Sequence, residues 1–141
     1  VIVRFGRSYR FFAAHRLHQA ALSDDDNRRV FGKCNHPSGH GHTYDVVVVV
    51  EGRPDPRTMM VVDMVDMDAV VGDVLAEVAW RHLERDVPFF REHTSTSERI
   101  AQFLWQRLEA PLAALAGGVV LQRIEVSETR NNHFEMIRSA A

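Results

Sequence analysis

Hydrophobic and polar positions alternate with a period of two from Ile2 to His15. Val3, Phe5, Tyr9, Phe11 and Ala13 fall on one parity, and Arg4, Ser8 and Arg10 fall on the other. That pattern predicts a half-buried β-strand and leaves His15 on its apolar side. A second strand is predicted from His40 to Glu51, because the run Val46–Val50 is β-branched, unbroken and bounded by Gly52 and Pro54. The turn residues Pro54-Asp55-Pro56 lead to a third, short strand at Met59 to Met64. The period then becomes helical. Met67, Val70, Val71, Val74, Leu75 and Val78 form one apolar stripe, with Asp66 as its cap. Ile100, Phe103, Leu104 and Leu108 form another, behind a capping box of Ser95 and Glu98. Pro111 and Gly117-Gly118 close that region. A last strand runs from Val119 to Thr129, and Glu128 lies on the parity of Ile124 and Val126. Between the first two strands regularity stops. Residues 16–38 hold a polar turn around Ser23–Arg29 and at most one short helical stretch, and so long a connection is more often functional than idle.

Strands in hairpin-like succession with two helices predict an α+β domain over residues 1–141, an antiparallel sheet of four strands with two helices packed on one face. Composition changes this picture little. The formal net charge of −2 argues against a nucleic-acid surface. No apolar run approaches the roughly 18 to 20 residues that a membrane span needs. The first residues, Val1-Ile2-Val3-Arg4, lack the pattern of a secretory leader. The single cysteine, Cys34, excludes an intrachain disulfide. A cytoplasmic location is the expectation.

The chemistry begins with His40-Gly41-His42 at the start of the second strand. A two-residue side-chain period aims both imidazoles at one face, and His15, on the apolar parity of the first strand, is the third candidate. Three imidazole nitrogens suit zinc with one position left open. Cys34 is either a fourth ligand that closes the site or a separate base or nucleophile. Glu128 is either a solvated strand end or a buried anchor for a cationic or amide-like group. His18, His36, His82, His93 and His133 form a background population, most of it solvated or structural.

The motifs Phe12-Ala13-Ala14-His15-Arg16-Leu17, Phe31-Gly32-Lys33-Cys34-Asn35, Gly39-His40-Gly41-His42-Thr43-Tyr44, Asp86-Val87-Pro88-Phe89-Phe90, Ser95-Thr96-Ser97-Glu98 and Val126-Ser127-Glu128-Thr129-Arg130-Asn131-Asn132 closely resemble the 6-pyruvoyltetrahydropterin synthase family. Its bacterial 6-carboxytetrahydropterin synthase branch is less similar between His15 and Cys34. The resemblance covers nearly the whole chain. It implies the tunnelling fold, trimers that close a barrel and stack into a homohexamer, and a small-molecule pterin substrate, with no nucleic-acid or membrane partner. It implies Zn2+ held by His15, His40 and His42, Cys34 as the catalytic thiol, Glu128 as the anchor of the pterin's amide and amino edge, and Thr96 and Ser97 lining the pterin pocket. It does not assign the triphosphate contacts, for which Lys33, Arg16 and Arg10 are the candidates.

One family feature is missing. Where the family carries an Asp-His pair shortly before Asp-Val-Pro, this chain has Ala79 and Trp80, and neither side chain exchanges a proton. His82 stands two residues later, with Glu84 or Asp86 placed to orient it. It either replaces the lost imidazole as a catalytic group or merely fills the family's asparagine position, and His93 is the weaker substitute. The expectation is a zinc-dependent lyase acting on 7,8-dihydroneopterin triphosphate or a related reduced pterin, with altered or weakened chemistry. The rival reading is a non-catalytic metal- and pterin-binding protein.

Overall fold

The computed structural model describes residues 1–140. Four strands form one antiparallel sheet in the order β1-β2-β3-β4: β1 is Val3–His15, β2 His40–Gly52, β3 Val120–Thr129 and β4 Asn132–Ile137. The connection from β2 to β3 carries α2 (Met64–Ala76), two short helices α3 (Leu83–Asp86) and α4 (Pro88–Glu92), and the long α5 (Ser97–Ala113). A further helix, α1 (Asp24–Phe31), lies in the β1–β2 connection and runs into a 3-10 turn at Gly32–Asn35. This is the expected α+β fold, an antiparallel sheet with α2 and α5 packed on one face.

The period-two alternation decides which face is buried. Phe11 and Ala13 of β1, Tyr44, Val46, Val48 and Val50 of β2, and Leu121, Ile124 and Val126 of β3 pack into one core with Met67, Val71, Ile100, Phe103, Leu104 and Leu108 of the helices. Each such aliphatic side chain taken out of water stabilises the fold by about 1.5–3 kcal/mol before entropy is counted. The opposite face carries charge, with Arg4 paired to Glu51, Arg10 to Asp45, and Arg123 to Glu125 and Glu135. No helix among the described residues is long and apolar enough to cross a membrane.

Several predicted boundaries move, each for a physical reason. Residues 59–63 are not a strand. Asp55 and the loop close on themselves through Met59 N to Asp55 O (2.7 Å) and Asp55 N to Met60 O (2.9 Å), and Met59 takes φ 59°. The fourth strand is instead Asn132–Ile137, which returns from β3 after the turn at Arg130-Asn131. The cap of helix α2 lies three residues before the expected one, because Asp63 rather than Asp66 accepts a bond from Val65 N at 2.8 Å. Helix α5 is capped by Thr96, not Ser95, and passes through Pro111 to Ala113, where buried Leu112 holds its last turn on the core.

Candidate metal and pterin site

The β1–β2 register builds the centre. His15 lies directly opposite His40, and His42 lies opposite Ala13, so all three imidazoles leave the sheet on the helix-facing side at the end of the ladder. His15 and His40 approach Nε2 to Nε2 at 3.0 Å, and the three rings stand edge to face at 4.6–5.1 Å between centroids. The far end of β3 brings a fourth group. Glu128 Oε1 is 2.8 Å from His42 Nε2 and 3.4 Å from His15 Nε2. One ligand atom from each of these four residues lies within 4.8 Å of the others.

This donor set fits a divalent cation. Four atoms placed tetrahedrally about 2.0–2.1 Å from one ion would stand about 3.4 Å apart, close to the separations found here. His15 is fully buried, and its Nδ1 lies 2.9 Å from the Ser95 carbonyl oxygen, which can only accept a hydrogen bond. Nδ1 therefore carries the proton, and Nε2 presents its lone pair to the centre. Burial, with smaller contributions from neighbouring imidazoles, pushes His40 below the ordinary imidazole value. Burial also lowers His42, although the Glu128 carboxylate opposes it. Both rings thus favour the neutral form that a metal needs. Glu128 is held down at about 2, first by the His15 imidazole beside it and also by Ser97, whose Oγ donates to Oε2 at 3.0 Å. Tyr44 closes the floor, stacked on Phe11 at 4.8 Å, with its phenol pushed up by burial.

A model of the 6-pyruvoyl tetrahydropterin synthase family matches residues 5–138. The chain belongs to that family. It is 40% identical over 127 residues to human 6-pyruvoyl tetrahydrobiopterin synthase, covering 89% of this chain and 85% of that protein. It is 42% identical over 105 residues to the enzyme of that name from Poecilia reticulata, covering 74% and 71%. The structure of Caenorhabditis elegans 6-pyruvoyl tetrahydropterin synthase superposes with a TM-score of 0.90 at 38% identity, covering 99% of this chain and 97% of the other. The protein is thus an enzyme of the lyase type, in a pterin-processing family.

The remaining residues singled out from this family's motifs fall around the centre at different distances. Cys34 is half-buried in the 3-10 turn and stays outside the four-residue ligand group. Its loop is pinned two residues beyond His15, by Leu17 N to Cys34 O (2.9 Å) and Asn35 Nδ2 to Leu17 O (2.8 Å). Thr96 and Ser97 begin α5, where Thr96 caps the helix and Ser97 holds Glu128. His82 turns toward the loop between Cys34 and His40. A Cβ added at Gly39 would meet its Nε2 at 2.7 Å. Both His82 ring nitrogens are buried without a hydrogen-bond partner, and Glu84 Oε2 is 3.5 Å from Nδ1. Asp86 is otherwise engaged, accepting from the His82 backbone at 2.8 Å. Trp80, at φ 60° and 80% exposed, stacks on Phe12 at 4.8 Å.

Two residues support the centre in ways the sequence did not reveal: Ser95 was read only as a helix cap and Glu84 only as a group to orient His82. Ser95 bonds His15 through its carbonyl oxygen and its hydroxyl, and that hydroxyl also donates to Glu84. Glu84 in turn accepts from Arg16 N at 3.1 Å. The sequence signal for Ser95 was its place as the cap of a capping box, which assigns it a different job.

Proposed function

We propose that this enzyme acts on 7,8-dihydroneopterin triphosphate or a closely related reduced pterin, with zinc held by His15, His40 and His42. The observation that supports this best is the convergence of three imidazole nitrogens and a carboxylate oxygen within 4.8 Å at the end of an apolar core. Zinc held there would supply Lewis acidity, making C–H bonds beside a polarised substrate oxygen more acidic. The protons are carried by the chain's own groups. Cys34 Sγ is the assigned base, presented by a loop pinned next to His15. Glu128, ionised by its neighbours, accepts the amide and amino N–H groups of the pterin edge, with Thr96 and Ser97 lining the pocket.

Ala79 and Trp80 leave no relay where the family has an Asp-His pair, and losing a general acid–base partner costs about 10²–10⁴-fold in rate. His82, with Glu84 beside it, is the substitute imidazole. The activity is therefore weak elimination to 6-pyruvoyltetrahydropterin or a retro-aldol cleavage of the side chain. The open edges of β1 and β4 support assembly by strand pairing, as a homohexamer of two stacked trimers in the cytoplasm.

The deciding experiment incubates zinc-loaded protein with 7,8-dihydroneopterin triphosphate and follows products by mass. Turnover that disappears in Cys34→Ala while zinc is retained supports the assignment. Tight binding without any product defeats it. Glu128→Gln separates two roles for the carboxylate. Lost pterin affinity with zinc retained marks an anchor; lost zinc affinity marks a fourth ligand and a closed site.

A further inference from the structure

Next to the centre lies a second cavity, of about 470 Å3, which shares His82 and Glu84 with the surroundings of the metal site. Its wall gathers Arg16, Arg85 and Arg91 together with His18, His82 and His93. The three guanidiniums are held only by carbonyl oxygens: Arg16 Nε donates to Asn35 O at 2.9 Å, Arg85 to Pro37 O at 3.4 Å and Arg91 to Arg85 O at 3.2 Å. Among the described residues none of them forms an ion pair, in contrast to Arg10, which is taken by Asp45, and Arg28, which is taken by Asp25. Each guanidinium has five N–H donors in a fork that matches a phosphate, so three of them engaged by single carbonyls keep most of that capacity unused. Two carboxylates line the same cavity. Glu84 is turned inward, with one oxygen on Ser95 and the other on Arg16 N, which leaves Glu92 as the opposing charge. His82 adds two buried ring nitrogens without partners at the boundary between cavity and centre.

We propose that this cavity is a polyphosphate subsite that takes the phosphate tail of the substrate. The proposal rests on the reading of the neighbouring centre as one for a phosphorylated pterin and places the parts of that substrate in order. The ring lies at Glu128, the reacting side chain at the three imidazoles and the tail beyond Glu84, among the arginines. Of the cations suggested by sequence, Arg16 belongs to this wall. Arg10 is neutralised on the far face of the sheet, and Lys33 lines a different cavity.

The test is calorimetric titration of zinc-loaded protein with inorganic tripolyphosphate. A metal indicator in the cell reports any zinc drawn off, so that chelation is not counted as binding. Saturable binding with one site per chain is expected, weakened about tenfold or more in Arg85→Gln and in Arg91→Gln. Arg91→Lys, which keeps the charge without the fork, should lose less than Arg91→Gln. Thermal melts confirm that the variants are folded. Affinity for dihydroneopterin, which has no phosphate, should stay the same in all of them. If tripolyphosphate fails to bind, or binds the glutamine variants as tightly as the parent, the subsite is refuted. If it binds through the arginines while dihydroneopterin does not bind at all, the subsite stands and the pterin reading of the centre falls.

Discussion

Replacing Gly39 by alanine tests whether the turn before β2 sets the metal centre. Gly39 has φ +74°, where an L side chain costs roughly 1–2 kcal/mol. A Cβ there would stand 2.7 Å from His82 Nε2 and 2.8 Å from the backbone oxygen of His15. The His15 carbonyl cannot move cheaply, because its own ring is buried and bonded to Ser95. Overpacking of this kind costs about 1–3 kcal/mol more. A total near 3 kcal/mol, set against an unfolding entropy of about 0.3 kcal/mol per degree for a chain of this size, corresponds to a Tm lower by about 10 °C. Because His40 follows directly, zinc affinity should fall as well. Thermal melts at equal protein concentration and zinc analysis of purified Gly39→Ala measure both effects. Gly72→Ala is the internal control. It lies in α2 with nothing within 4 Å of an added Cβ, so alanine should stabilise by about 0.5–1 kcal/mol. A Gly39→Ala protein that melts within 2 °C of the parent (about 0.6 kcal/mol) with full zinc would overturn the steric reasoning.

Two further outcomes follow from the groups around the centre. Ser95→Ala keeps the carbonyl bond to His15 but removes the hydroxyl link to Glu84, and losing such a support costs about 10–100-fold in metal affinity; competition with a chelator of known affinity measures it, and an unchanged zinc constant refutes the role. In the metal-free protein, His40 and His42 are held below the ordinary value of 6.5, so the unfolded chain binds more protons than the folded one as pH falls past that value. Stability should therefore decline from pH 7 to pH 5, and a flat series of melts would contradict the burial of these rings.

What the sequence revealed of the fold came from positions where one local signal had no competitor. The valine run could only be a buried strand, and the parity that buried Val46, Val48 and Val50 also fixed the direction of His40 and His42. The stripe from Met67 to Val78 packed as its period required. Local signals failed where a distant partner outbid them. Ser95 and Glu98 form a good capping box on paper, yet the Ser95 hydroxyl is claimed by His15 and Glu84 from two other elements, so the cap passes to Thr96. Met59 to Met64 had the composition of a strand, yet its backbone closes on Asp55, while Asn132 to Ile137 pairs with β3.

The centre shows the same division between local and long-range information. The three imidazoles were legible because ladder register follows from alternation, and register alone sets His15 against His40. Glu128 was legible as a carboxylate on an apolar parity, but its distance from the rings depends on how β3 pairs with β2, and Glu128 lies beyond the last residues of that ladder. The closeness of that carboxylate, 2.8 Å from His42 Nε2, changes the chemical question. A centre with three nitrogens and an adjacent anion can bind a metal tightly with the fourth position either free or filled, and only a free position permits substrate activation. Ser97 holds Oε2 at the start of α5, while Oε1 stays among the rings. Because Oε1 remains in the four-residue group, the zinc and pterin affinities of Glu128→Gln decide whether that fourth position is filled or free.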